Sequence, residues 1–253
     1  QAKWMAHAAE LAEANGAHVV DINMGCPARR VTTGMSGSAL MRDLDHALGL
    51  IEATVAAVNI PVTLKMRLGW DHDTINAPEL ARRAADAGVQ LITVHGRTRC
   101  QFYKGAADWE AVQAVRDVID LPLIVNGDIK SSSDGLAAMG ACGADGIMIG
   151  RASYGAPDLP GRIAASTDSE KQSASYDVVA HYLDIIDFYG DELGVRCARK
   201  HIGWWMEGLS LAVPKPFKAS LMTSKDPQFV INSLQQIQRE MATENTKEAR
   251  HAA

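Results

Sequence analysis

Three times in this chain a helical pattern runs into a glycine and then into an apolar run rich in valine and isoleucine. The copies are Asn15-Gly16-Ala17-His18-Val19-Val20, Ala87-Gly88-Val89-Gln90-Leu91-Ile92 and Cys142-Gly143-Ala144-Asp145-Gly146-Ile147. Glycine just past a helix closes it in the left-handed conformation, so each copy reads as helix, cap and strand. Two further strands, Pro61 to Met66 and Pro122 to Asn126, open on proline, which at a strand's first position removes no needed ladder bond. Segments of helical length lie between them, such as Ser38 to Ala57 and Ala77 to Ala87. The strands read Val/Ile/Leu-rich on both faces, as parallel strands covered by helices do. This alternation commits the chain to the α/β class.

Each strand also ends in residues that carry chemistry. The first runs Val19-Val20-Asp21-Ile22-Asn23-Met24-Gly25-Cys26-Pro27, putting a thiol at a strand's C-terminal mouth, where α/β enzymes hold their active sites. The others end at Lys65 and Arg67, at His95 and Arg97, at Asn126 to Asp128, and at Gly150-Arg151. A doubly wound sheet accommodates five such units, but reactive residues at every strand end suit a barrel, whose mouth gathers all the strands. A closed barrel needs eight strands and five are visible, the first preceded by the amphipathic pattern Ala2 to Asn15. The expectation is an α/β (β/α)8 TIM barrel lacking its N-terminal strands, roughly three of them. A complete five-stranded sheet is the alternative.

After Arg151 the repeat stops, and Ala152 to Ser175 is rich in Gly, Pro, Ser and Ala, the composition of a connection. Helical periodicity returns over Tyr176 to Gly190, Glu192 to Gly208 and Pro227 to Met241, interrupted by Gly190 and by a Pro214-Lys215-Pro216 turn. The organisation expected is a partial barrel over residues 1–160, a small α-helical domain over 170–245 and a flexible tail over 246–253.

With 253 residues, 47% of them hydrophobic and 22% charged, the chain has the composition of an ordinary globular protein, which excludes disorder as its main state. Its net charge of −5 argues against indiscriminate coating of nucleic acid. The local balance differs, because Arg196, Arg199, Lys200, Lys215, Lys218 and Lys225 face Glu207 alone between residues 196 and 225. Trp204 and Trp205 lie among these charges, where they either pack in the helical core or stack near RNA. Four cysteines without C-x-x-C spacing fit a reducing cytoplasm rather than a disulfide scaffold or zinc site. No apolar run approaches the roughly 20 residues of a membrane span, so no membrane association is expected, and no protein partner is implied.

The runs Asp21 to Pro27, Val62 to Gly69, Thr93-Val94-His95-Gly96-Arg97-Thr98, Val125 to Ile129 and Gly146 to Arg151 together resemble the tRNA-dihydrouridine synthases, the bacterial B-type subfamily most of all. The resemblance covers nearly the whole chain, including a helical C-terminal domain that helps hold tRNA in that family. It implies reduction of uracil in tRNA to dihydrouracil, with FMN as hydride carrier and NADPH as the reductant that recharges it, and a D-loop uridine as target. It also implies an upstream Pro-Met-Ala-type flavin loop. Small-molecule flavin oxidoreductases of the dihydroorotate or enoate type share the barrel but do not need the basic helices. An RNA-binding fragment without a flavin site is the non-enzyme alternative.

The resemblance makes Cys26 the acid that delivers a proton to uracil C5. An ordinary thiol is mostly protonated at neutral pH, so it can do so without activation; the bland reading, an inert thiol, is kept for Cys100, Cys142 and Cys197. Lys65 sits in an apolar strand, where an unpaired ammonium is costly. By resemblance its partner is the N1/O2 edge of the flavin, and otherwise it is a carboxylate on a neighbouring strand. His95 contacts FMN by the same analogy, or simply bonds to backbone. Asn126-Gly127-Asp128 and Gly150-Arg151 end the last two strands, where barrels bind phosphate, and Arg151 offers a bidentate clamp. Asn23 and Arg67 are candidates for the uracil carbonyls, with turn capping and surface solvation as their alternatives. Arg29 and Arg30, like Arg199 and Lys200 of the basic helices, are candidates for RNA phosphates, or are solvated charge.

Overall fold

The computed structural model describes residues 1–167, 175–209 and 212–251. They form two compact units, Gln1–Gly150 and Arg151–Ala253. In the first, β1 (Val20–Met24), β2 (Val62–Arg67), β3 (Leu91–His95), β4 (Leu123–Asn126) and β5 (Gly146–Met148) make one sheet whose spatial order is the chain order. Every neighbouring pair is parallel. A doubly wound sheet reverses its strand order at a switch point; this one does not, and it is built like a stretch of barrel wall.

Six helices accompany the sheet: α1 (Ala2–Ala14), α2 (Arg29–Thr32), α3 (Leu44–Ala57), α4 (Ala77–Asp86), α5 (Gln113–Arg116) and α6 (Ser132–Cys142). The three repeat glycines, Gly16, Gly88 and Gly143, all have positive φ, as their place at helix ends requires. Pro61 and Pro122 immediately precede β2 and β4, and their carbonyls accept from Val20 N and Ile92 N across the sheet, both at 3.0 Å. The proline carbonyl thus extends the ladder that its missing N–H cannot.

Successive strand residues point to opposite faces, and the two faces differ more than the sequence suggested. One carries Ile22, Met24, Val62, Leu64, Met66, Ile92, Val94, Leu123 and Val125, all buried. These pack with Leu50 and Ile51 of α3, Leu80 and Ala84 of α4, Val115 of α5 and Ala138 of α6 in one core. The other face carries Asp21, Asn23, Thr63, Lys65, Arg67, Thr93, His95 and Asn126. The expectation of apolar strands on both faces is therefore corrected: the buried core residues fill alternate positions, and the positions between them are mostly polar, with Leu91, Ile124 and Met148 as the apolar members of that face.

The helix expected from Ser38 to Ala57 is divided. Residues Gly37–Arg42 form a tighter 3-10 turn, and α3 begins after Asp43, whose carboxylate accepts from His46 N at 3.0 Å. An aspartate that satisfies a first-turn N–H is a strong helix start, and it frees the turn before it for another use.

The second unit contains α7 (Leu159–Thr167), α8 (Val178–Glu207), α9 (Lys215–Thr223) and α10 (Pro227–His251). α8 is broken at Gly190 (φ 72°, ψ 168°), dividing it where the sequence does. Two expectations are corrected. The connection over 152–175 includes α7, since Pro160 in its first turn removes an N–H that has no helical partner anyway; residues 168–174 lie outside the described residues. The Pro214-Lys215-Pro216 turn is likewise the start of α9, again with proline in the first turn. The α10 backbone runs on past Met241 through most of the expected tail, and residues 252–253 lie outside the described residues. Val178, Tyr182, Ile202, Trp205, Leu221 and Leu234 centre this unit's own core. No helix among the described residues is long and apolar enough to cross a membrane.

Leu64 is fully buried at the middle of β2. Leu64→Ala is expected to destabilise the chain by about 2–5 kcal/mol, read as a lower denaturant midpoint; a midpoint unchanged from the parent would contradict the assigned core face.

Candidate active site

The parallel register lines up the polar residues of the first unit in two rows. Asn23, Lys65 and Thr93 are neighbours across β1, β2 and β3, and Arg67, His95 and Asn126 are neighbours across β2, β3 and β4. Cys26 follows two residues after β1, half-buried, on a loop held from several sides. Asn23 Oδ1 accepts from Gly25 N at 3.0 Å. Arg67 Nε donates to Gly25 O at 2.8 Å. The Cys26 carbonyl accepts from Ser38 N at 3.1 Å and from Ser38 Oγ at 2.8 Å. Ser38 comes from the 3-10 turn that Asp43 separates from α3, so that division is what brings it to the thiol's loop. Gly37 (φ 58°) packs so closely that a Cβ there would lie 2.8 Å from the Cys26 carbonyl oxygen.

Arg67 is not a surface residue, and its expected alternative of solvation is corrected: it is 1% exposed. Nη1 donates to Thr98 O and Phe102 O, both at 2.9 Å, and the guanidinium lies 5.5 Å from the Tyr103 ring centroid. Buried polar groups must be bonded, and here a cation is neutralised by carbonyl dipoles rather than a carboxylate. With Nε and Nη1 committed, Arg67 fixes the Cys26 loop against the segment after β3.

That segment is held by a second buried cation, Arg97, also 1% exposed. Nε donates to Lys104 O at 3.3 Å and Nη2 to Gly105 O at 2.7 Å, while Nη2 forms an ion pair with Asp128. Asp128 also accepts from Ala107 N at 2.8 Å. Its side chain is therefore tied to Arg97, and a carboxylate would in any case repel phosphate. Gly127 (φ 120°) has a simple cause: a Cβ would lie 2.7 Å from Ala107 Cβ and 2.8 Å from the His95 ring. Asn126 Nδ2 donates to Met148 O at 2.7 Å and ties β4 to β5.

Electrostatically the polar face is cationic. Burial lowers the Lys65 pKa, Arg67 lowers it further and Asp21 opposes both. Among the described residues no carboxylate lies within ion-pair distance of Lys65, so the neighbouring-strand salt bridge is not formed. Asp21 Oδ1 instead accepts from Thr63 Oγ1 at 2.8 Å. Burial also lowers the Arg67 pKa. For His95, burial first and then Arg67, Lys65 and Arg97 push the imidazole down from 6.5 to about 3, with Asp128 opposing. His95 is neutral across physiological pH.

The remaining candidates divide by unit. Arg29 and Arg30 are exposed on α2, directly after the Cys26 loop. Gly150 is exposed, with no atom within 4 Å of an added Cβ, and Arg151 opens the second unit on an exposed turn. In the second unit, Lys200 is exposed beside Trp204, 6.0 Å from its ring centroid. Arg199 differs from expectation. Its Nη2 donates to Ser224 O at 3.1 Å and Thr223 O at 3.4 Å, closing α9, whose last carbonyls lack helical partners. Trp205 is core, while Trp204 stacks on Tyr154 with centroids 4.2 Å apart. Sequence reasoning missed Ser38, Tyr103 and the role of Arg97. Tyr103 is 51% exposed with its ring 6.4 Å from His95. An arginine after an apolar strand signals a buried cation, but nothing local names its partner.

A parallel sheet wound in chain order, with a thiol, a lysine that has no ion pair among the described residues and a neutral histidine at its strand ends, places the first unit in the α/β class. The chain belongs to the dihydrouridine synthase family, whose sequence profile matches residues 1–243. It is 54% identical over 230 residues to the probable tRNA-dihydrouridine synthase of Rhizobium leguminosarum bv. phaseoli, covering 91% of this chain and 73% of that one. To the probable tRNA-dihydrouridine synthase of Rhodobacter capsulatus it is 51% identical, covering 88% and 70%. A relative named tRNA-dihydrouridine synthase B, from Pseudomonas syringae pv. tomato, is 40% identical, covering 82% and 64%.

The His95 shift has a consequence for stability. Between about pH 6.5 and 3 the unfolded chain binds a proton at this position that the folded chain refuses, so stability falls with pH through that window. His95→Gln removes this term, and its denaturation midpoint is expected to drop less than the parent's between neutral and acidic pH. Equal slopes would show that His95 is not held neutral.

Proposed function

We propose that this chain reduces uracil in tRNA to 5,6-dihydrouracil, with FMN as hydride carrier and NADPH as its reductant. The observation that carries the reading is Cys26 on a loop fixed by Arg67 and Ser38, beside a sheet face whose lysine has no carboxylate at ion-pair distance among the described residues, in a chain of this family.

The donor set suits a flavin. Lys65 is a largely buried cation without an ion pair among the described residues, matched to the N1/O2 edge that carries charge in the reduced ring. Neutral His95 offers an N–H without a competing positive charge. The Asn126–Asp128 turn, Gly150 and Arg151 are assigned to the phosphate end, Asp128 acting through Arg97 rather than on phosphate itself. When bound, FMN supplies the hydride that adds to uracil C6, after NADPH has supplied it to the flavin.

Cys26 completes the reduction. As hydride arrives at C6, the electron pair of the C5–C6 double bond moves to C5 and O4. The Cys26 S–H bond breaks, its proton goes to C5, and the thiolate is reprotonated by solvent. Asn23 keeps the Cys26 loop in place through Oδ1, which leaves Nδ2 to donate to a uracil carbonyl. Arg67 contributes by holding the loop, since two of its nitrogens are spent on carbonyls. Arg29, Arg30 and Lys200 are exposed cations suited to tRNA phosphates.

The test separates the half-reactions. With FMN loaded, Cys26→Ala is expected to leave the bleaching of flavin absorbance by NADPH intact while slowing dihydrouridine formation in unmodified tRNA by about 10²–10⁴-fold. Equal loss in both steps would sink the proton-donor role. Full turnover on free uracil or dihydroorotate would instead establish a small-molecule oxidoreductase.

A further inference from the structure

Arg97 spends a full buried charge on a place where it touches one functional group. Its Nη1 lies 3.3 Å from His95 Nε2, and its other bonds run to Lys104 O, Gly105 O and Asp128. A guanidinium nitrogen only donates, so His95 Nε2 in this contact is an acceptor and the single imidazole proton resides on Nδ1. Among the described residues nothing bonds to Nδ1. A doubly protonated ring would turn an N–H toward the guanidinium, and the charges around it, Lys65 and Arg67 from β2 and Arg97 itself, oppose a further positive charge, with only Asp128 acting the other way. The ring cannot turn freely, since it packs against the Gly127 backbone, where even a Cβ would be too close.

We propose that Arg97 is a positioning residue that fixes His95 as the neutral Nδ1–H tautomer, so that a hydrogen-bond donor, not an acid, faces the ligand side of the sheet. Asp128 acts one step further out: it neutralises the guanidinium and aims it, and Ala107 N and Arg97 share its carboxylate. Three strand-end residues thereby serve one proton's location. That the ligand is a flavin rests on the function proposed above; the tautomer itself does not.

The experiment is ¹H–¹⁵N correlation spectroscopy of the imidazoles in the full chain, with His95 identified by its absence in His95→Gln. The expected result is a protonated-type shift at Nδ1 and an acceptor-type shift at Nε2, both constant between mildly acidic and mildly basic pH. A proton on Nε2, averaging between the two nitrogens, or titration within that range would overturn the proposal. The double variant Arg97→Met/Asp128→Asn removes the donor without stranding a carboxylate. His95 is then expected to show mixed tautomers, and unchanged shifts in the folded variant would also overturn the idea. If that variant does not fold, the parent spectrum still decides. Titrating FMN into the parent chain separates the two readings: no FMN binding with the Nδ1–H tautomer present would overturn the flavin assignment and leave the role of Arg97 standing, whereas FMN binding with the proton on Nε2 would do the reverse.

Discussion

The buried guanidinium of Arg67 is the contact on which the geometry of the site depends. It joins the carbonyl before Cys26 to the carbonyls of Thr98 and Phe102 in the segment after β3. Two loops separated by many residues thus acquire a common reference point deep in the sheet. A lysine would not reproduce this, because only the planar fork of arginine presents several donors at fixed angles. The cost of burying the charge is offset by carbonyl dipoles rather than by a carboxylate. Because carbonyls carry no net charge, the site keeps its positive field.

That field organises the rest. Lys65, Arg67 and Arg97 crowd one sheet face, and Asp128 is committed to Arg97. Burial together with this imbalance keeps His95 neutral, and among the described residues Lys65 has no carboxylate at ion-pair distance, with Asp21 acting on it only from further off. The thiol of Cys26 stands beside this arrangement. Its position is set through backbone: the carbonyls of Gly25 and Cys26 are bonded to Arg67 and Ser38.

The second unit shows how differently charge can be used within one chain. Arg199 belongs to the same basic stretch as Lys200, yet one seals the end of α9 and the other is exposed. Trp204 and Trp205 are likewise adjacent but divided, one stacked on Tyr154 and one in the core. Adjacent helical residues point in directions well apart, so a basic or aromatic cluster in sequence is not a cluster in space.

What the sequence by itself determined is the alternation of helix and strand, the break at Gly190 and the placement of Cys26, Lys65 and His95 in or just after strands of one sheet. These were legible because glycine caps, proline starts and apolar runs act on the backbone within a few residues of themselves. Only the tertiary structure decided that one sheet face is polar, that Arg67 is buried, that Ser38 holds the thiol's loop, that Arg97 pairs with Asp128 and that Arg199 is spent on a helix end. Each of these joins residues from different elements, and the energy of a buried charge or hydrogen bond depends on partners that chain order does not bring together.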